Sequence, residues 1–216
     1  MPGAMGRPRE APSPTGRGAA QDILFAGAKL FGTVGFGGTT LRAIAAEAGL
    51  RQPSLYHHFA GKHEILLTLL LGTVQPSVDT ATRLLAADAT PAARLWALCA
   101  SDVALLTADP LNIGQLYLLP ELADPRFDPF RTARTRLADA YESLIRQCDP
   151  PVETTPRQLA GLILGVVEST ILQRRWSPET IDAGLPARTA DAALRMLGLT
   201  SPQVTASRQA AASLLS

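Results

Sequence analysis

The segment Thr39–Thr68, TTLRAIAAEAGLRQPSLYHHFAGKHEILLT, restricts this chain more than any other feature, because its punctuation permits only two short helices meeting at a fixed corner. Leu41, Ile44, Ala45 and Ala48 recur at helical spacing. Thr39 or Thr40 can cap the helix that carries them, its hydroxyl accepting from an otherwise unpaired N–H. Gly49 then stands where a helix end calls for left-handed backbone, Leu50 fills the corner, and Pro53 falls where the first turn of a new helix tolerates a missing N–H. The second helix is therefore short. Its inward residues are Leu55 and Phe59, which leaves Arg51, Gln52, Ser54, Tyr56, His57 and His58 to face outward, with Lys62 opening a further helix.

A helix before this corner supplies its core. Ile23, Ala26, Gly27, Leu30 and Phe31 form one apolar stripe, and Asp22 near the start suits the positive end of the helix dipole. Gly32 to Gly38 holds four glycines in seven residues, so the helix must stop there, and Phe36 in that loop is expected to fold back onto the core. Three helices arranged in this way present one short helix to the major groove of DNA.

Taken jointly, these residues resemble the DNA-binding domain of TetR-family transcriptional regulators over about residues 21–70. The resemblance is carried by Phe31 through Gly35 and Phe36 to Thr39 and Thr40, by Ile44-Ala45-x-x-Ala48-Gly49, by Ser54-Leu55-Tyr56-His57-His58-Phe59, and by Lys62 with Leu66. It implies an all-α homodimer: an N-terminal three-helix helix-turn-helix DNA-binding domain and a C-terminal helical ligand-binding and dimerisation domain. It also implies that Thr39 or Thr40, Tyr56 and His57 meet phosphates, with Lys62 matching a phosphate contact where helix N–H groups favour an anion. Arg51, Gln52 and Ser54 occupy the part that reaches base edges. Arginine suits guanine and glutamine suits adenine. The expected boundaries are 1–18 for a basic tail, 19–66 for the reader, 67–200 for the second domain and 201–216 for a C-terminal tail.

The chain is nearly neutral, yet residues 1–62 carry a net charge of +4 and residues 63–216 a net charge of −3. The positive part is the part that would meet phosphate. Residues 1–18, with four prolines and four glycines and no apolar period, are expected to be disordered, and Arg7, Arg9 and Arg17 there either follow the DNA backbone or are simply solvated. No apolar stretch follows these basic residues, so no secretory signal is expected and the expected location is the cytoplasm. Cys99 and Cys148 have no metal or redox spacing and read as small buried hydrophobes. His57, His58 and His63 lack a neighbouring cysteine, so neither a metal nor a cofactor is expected, and no nucleophile motif or phosphate loop supports an enzyme.

From Lys62 the run Ile65, Leu66, Leu69 and Leu70 starts a linking helix that Pro76 either kinks or ends, with a restart near Ser77 as the favoured outcome. Leu95 to Leu119 has only two charges, but Asp109-Pro110 divides it, so it reads as two buried helices rather than a membrane span. Asp102 lies on an apolar face with Cys99. A buried carboxylate needs a partner, which is either an arginine (Arg94 or one from 131–136) or a ligand with a positive or hydrogen-bond-donating group. Asn112, Gln115 and Tyr117 supply further polar groups, and Trp96 an aromatic wall, for the cavity that the resemblance places among the central helices. An apolar cavity with a few polar groups suits a lipophilic or amphipathic small molecule of unknown identity.

Near the end of the chain Leu159, Leu162, Ile163, Val166, Val167 and Thr170 make a helical stripe, and a second helix carries Ala190, Leu194 and Leu197. These resemble the helix pair that forms the family's dimer interface. Two symmetric readers require a nearly palindromic operator in double-stranded DNA, with half-site centres roughly 34 to 36 Å apart. The expected function is thus a ligand-released repressor. The alternative is a DNA-binding architectural or partner-recruiting protein with a fully packed middle and no effector.

Overall fold

The computed structural model describes residues 13–150 and 153–215. Among these there is no strand, and nine α-helices run in order: α1 (Ala19–Thr33), α2 (Leu41–Glu47), α3 (Gln52–Tyr56), α4 (Lys62–Leu85), α5 (Pro91–Ala108), α6 (Asp128–Cys148), α7 (Pro156–Trp176), α8 (Leu185–Met196) and α9 (Ser201–Ala211). The all-α, two-part architecture is as expected. Helices α1 to α3 pack on one another and α1 packs on α4; α5 is the axis of the second part, touching α4, α6, α7, α8 and α9.

Three features differ from expectation for identifiable reasons. Helix α4 runs unbroken through Pro76 instead of restarting at Ser77. Pro76 and Gly72 are both exposed, so the Gly72 carbonyl that loses its partner can turn to water, while Val74, Ser77, Ala81 and Leu84 hold the other face in the core. Between α5 and α6 there is no second α-helix but three short 3₁₀ segments, Ile113–Leu118, Pro120–Ala123 and Pro125–Phe127. Prolines at 110, 120 and 125 forbid a continuous ladder of i to i−4 bonds, which leaves tighter turns as the alternative.

The segment after residue 200 is no tail. The Gln203 side chain accepts from the Thr200 N–H at 2.8 Å, and α9 buries Val204 and Ala211 against α5. At the other end, residues 1–12, with Arg7 and Arg9, lie outside the described residues. Residues 13–16 are ordered against α1: the buried Asp22 carboxylate accepts from Ser13 Oγ at 2.7 Å, Thr15 N–H at 3.0 Å and Thr15 Oγ1 at 2.6 Å. A carboxylate in the first helical turn can thus fix the preceding chain as well as face the dipole.

Candidate nucleic-acid interface

The corner between α2 and α3 is built by its backbone. Gly49 has φ +67°, the Leu50 N–H donates to Ala45 O at 2.9 Å, and the Gly49 N–H donates to Ala46 O at 3.1 Å. This pair of bonds is a Schellman ending, which satisfies two carbonyls that the helix leaves open and sets the direction of α3. Ile44, Ala45, Ala48, Leu55 and Phe59 are buried beneath it, and Phe36 folds back to lie 5.2 Å from the Phe31 ring centre. Helix α1 approaches α4 closely at Gly27, where a Cβ would stand 2.7 Å from Ile65 Cγ2. The reader is therefore rigid at the turn and at its seat on α4.

Upon this frame Arg51, Tyr56, His57 and His58 are exposed, with Gln52 and Ser54 half-buried between them. Tyr56 is 52% exposed, although its ring is apolar, and Gln52 Nε2 reaches its hydroxyl at 3.5 Å. Arg42 on α2 is exposed as well; it shows no motif spacing, but its position on the outer face of a helix buried through Ile44 and Ala45 was open to helical periodicity.

The two threonines divide their work. Thr40 is exposed and caps α2, accepting from the Ala43 N–H at 3.1 Å. Thr39 is buried, and its hydroxyl donates to Gly35 O at 2.7 Å, an internal use in place of the expected phosphate contact. Lys62 departs from expectation further. Its ammonium donates to the carbonyls of Phe36 at 2.8 Å, Thr39 at 3.1 Å and Gly37 at 3.4 Å, and lies 4.5 Å from the centre of the Phe36 ring. All three of its protons are thereby directed at the α1–α2 loop. Lys62 ties α4 to the reader, and phosphate would have to compete with three carbonyls for it.

His63, next to it, joins the reader to the rest of the chain. Its ring is 5.0 Å from Phe36 and 6.1 Å from Phe127, and burial together with Arg126 and Lys62 pushes its pKa down, which favours the neutral ring. Among the described residues no group of three or more metal-ligating side chains occurs.

The expected cavity residues do not converge. Trp96 faces the end of the chain, donating from Nε1 to Asp191 at 2.8 Å, and Asp191 is paired with Arg208 of α9. Gln115 lies against Gly32 of α1. Asn112 donates to Ile171 O at 2.8 Å, and Cys99 is fully buried with its thiol pKa pushed far up by desolvation. Asp102 and Tyr117 do line one cavity together, a space of about 20 Å³ between α4, α5, the 113–118 segment, α6 and α7. A larger groove of about 550 Å³, opened by α1, α4, α5 and the 111–113 stretch, is lined by Leu24, Phe25, Leu69, Leu105, Leu111 and Ile113, with Arg17 and Gln21 at its edge. Sequence spacing gave no sign of this groove, because it forms between helices distant in the chain.

Asp102 has neither expected arginine. Arg94 donates to Leu85 O and Gln147, and Arg134 pairs with Glu168 at 2.6 Å while lying over the Tyr117 ring. The partner is Tyr141, whose hydroxyl donates to Asp102 Oδ2 at 2.7 Å. Burial raises the carboxyl pKa to about 6, against the opposing effects of the nearby Ser77 hydroxyl and the Tyr141 hydrogen bond, and the Glu168 charge raises it further.

The expected dimer face also needs correction. Leu159, Ile163, Val167 and Thr170 of α7, and Ala190, Leu194 and Leu197 of α8, are buried within the single chain. Helix α8 spends its apolar face on α5. Only Leu162 and Val166 of the expected set lie toward the other side of α7, a face continued by Gly165, Ser169, Leu172 and Trp176. Leu162, Leu172 and Trp176 are 54%, 52% and 72% exposed.

The family profile described as "Bacterial regulatory proteins, tetR family" matches residues 23–69, which span α1 to the start of α4. The crystal structure of Mycobacterium smegmatis AmtR is 41% identical, covers 95% of this chain and 98% of its own, and superposes with a TM-score of 0.85. The chain belongs to the TetR family. As a TetR-family regulator it is a DNA-binding transcription regulator, and the helix-turn-helix just described is its DNA-binding domain. At the level of fold alone, this TetR-family chain is also similar to the MbdR regulator of Azoarcus sp. CIB (23% identity, 85% of this chain and 100% of that one, TM-score 0.70). It is likewise similar to AibR in complex with isovaleryl coenzyme A and operator DNA (20% identity, 86% and 100%, TM-score 0.66). No curated protein matches the chain. Among the described residues no helix is long and apolar enough to cross a membrane.

Proposed function

We propose that this chain is a homodimeric repressor that holds a palindromic operator through α3 and is released when a small molecule binds between the reader and the second domain. The observation that carries this reading is the outward set Arg51, Gln52, Ser54, Tyr56, His57 and His58 on a short helix whose direction is fixed by the Gly49 corner. Tyr56 and His57 suit the phosphates on either side of the groove, while Arg51, Gln52 and Ser54 suit base edges. Thr40 and Arg42 add to the phosphate side. Lys62 acts one step back, by holding the loop that leads into α2.

Dimerisation is assigned to the open face of α7 around Leu162, Leu172 and Trp176, where a second copy would cover large apolar side chains and where Gly161 and Gly165 have no neighbour within 4 Å of a Cβ position. The effector is assigned to the 550 Å³ groove, within the size range of small-molecule sites. Its apolar walls with a few polar groups suit an amphipathic molecule, and its walls include α1 and α4, so a ligand there acts directly on how the reader sits. Release needs only that the ligand prefer one arrangement of the two readers. The alternative without an effector requires Asp102 to be neutralised internally, and Arg134, which lines the same cavity, is already paired with Glu168, which weighs against that alternative.

The test is a titration of fluorescent genomic fragments recovered by the parent protein. Tyr56→Ala should weaken binding to every fragment alike. Gln52→Ala should relax the preference at one position of each half-site, by about 1–3 kcal/mol for the favoured base. Parent-like binding by both variants would show that α3 does not face DNA.

A further inference from the structure

Asp102 presents a feature that neither the reader nor the groove uses. The residue is 3% exposed, Tyr141 serves Oδ2, and Oδ1 is buried with no hydrogen-bond partner. The 20 Å³ cavity is lined by Asp102 together with the hydroxyl-bearing residues Thr73, Ser77 and Tyr117. Such a volume holds one group the size of a water molecule.

The ionisable groups around this space leave one charge unbalanced. Helix α4 contributes no ionisable group, only Val74 and the Thr73 and Ser77 hydroxyls, α5 adds the un-ionised Cys99 thiol, and the Tyr117 and Tyr141 phenols both have raised pKa values. Arg134 of α6 and Glu168 of α7 also line the cavity, and they neutralise each other across it at 2.6 Å. An ionised Asp102 therefore faces hydroxyls, phenols, a thiol and a closed ion pair. An unpaired buried carboxylate is costly, and a compact donor carrying a positive charge would remove both the missing hydrogen bond and the missing charge.

We propose that the Asp102 cavity is a binding site for the ammonium head of a compact primary amine, with Asp102 Oδ1 as its acceptor and the Arg134–Glu168 pair as the closure over it. Asp102 Oδ1 and the Ser77 and Tyr117 hydroxyl oxygens of the lining are acceptors for the protons of a primary ammonium. The Tyr117 hydroxyl donates to Thr73 Oγ1 at 2.7 Å, and Thr73 also lines the large groove, so occupancy of the small site bears on the wall between them. The regulatory consequence rests on the repressor reading; binding itself does not.

Methylammonium chloride is the probe, with sodium chloride to match ionic strength and tetramethylammonium chloride as a cation that cannot donate. Thermal unfolding of the free protein at pH 8 should show a saturable rise in Tm with methylammonium, about 3 °C at ten times Kd. Neither control salt should produce it. Asp102→Asn, which keeps the shape and removes the charge, should abolish the rise, whereas Lys29→Ala on the reader surface should retain it. The rise should also fade below about pH 6, where Asp102 protonates. An equal rise in parent and Asp102→Asn, or no rise up to 100-fold molar excess and beyond to decimolar salt, overturns the site, the second result meaning that Oδ1 is served by water. Operator binding is read separately. A saturable, Asp102-dependent rise without any change in operator affinity keeps the site and removes its regulatory role, while failure of the free protein to bind any operator strikes the repressor reading and leaves the site to the thermal data.

Discussion

Replacing Asp102 by asparagine should move the balance of stability toward the variant as the pH rises. Burial holds the carboxyl pKa near 6 in the folded chain, against 3.8 for the ordinary value. A group with a raised folded pKa favours folding fully only below its unfolded pKa, and that advantage is lost as pH rises through the folded value. At 1.36 kcal/mol per pH unit, ionising Asp102 in place costs about 3 kcal/mol at pH 8 and about half as much at pH 5, relative to full protonation. Asparagine cannot ionise, and its carbonyl can still accept from Tyr141. Urea unfolding of both proteins at pH 5 and pH 8, at one protein concentration, should therefore give a stability difference that moves toward the variant by about 1–2 kcal/mol between the two pH values. The amide N–H₂ of the variant brings its own constant offset, so the change with pH is the quantity that decides. A difference that does not depend on pH, or that moves toward the parent, would mean that Asp102 is not ionised within a buried site at pH 8.

Other perturbations address the remaining parts of the account. Lys62→Ala removes a charged donor from the carbonyls of Phe36, Gly37 and Thr39, and should cost about 1–3 kcal/mol of stability. The same variant should leave the slope of log Kobs against log salt for operator binding within about half a unit of the parent; a drop of a full unit would make Lys62 a phosphate ligand after all. Gly27→Ala forces a methyl group against Ile65 Cγ2, and chemical denaturation should show a loss of about 1–3 kcal/mol, with parent-like stability meaning that α1 and α4 separate more readily than their contact suggests. Leu162→Glu combined with Leu172→Glu should yield a monomer in sedimentation velocity at micromolar concentration without loss of helical signal, because both side chains are more than half exposed in the single chain. A dimer that survives this change would place the interface elsewhere.

The reader was legible from sequence because its determinants are local. Gly49, Leu50 and Pro53 specify a corner within five residues, and the alternation of buried and open positions on α2 and α3 follows from 3.6-residue spacing. The second part was legible as helices but not as surfaces. Helix α7 is apolar on two sides, and periodicity reports an apolar stripe without saying whether the same chain or another copy covers it; Leu159 and Leu162 are one turn apart and end on different sides. The partners of Asp102 and Trp96 lie 39 and 95 residues away, at Tyr141 and Asp191, where no spacing rule reaches. Lys62 stood in a recognisable motif, yet its role follows from the carbonyls of a loop more than twenty residues earlier. Pro76 shows that a helix-breaking residue yields to packing when the carbonyl it orphans faces water.

The central claim is that α3 of two symmetric copies reads DNA. It is tested most directly by selecting fragments of the source genome bound by the purified protein and footprinting them at moderate salt. The account predicts one enriched palindrome with two protected patches about one helical turn apart, lost together in Tyr56→Ala. A folded, dimeric protein that enriches no sequence, or that protects a single patch without symmetry, would contradict it.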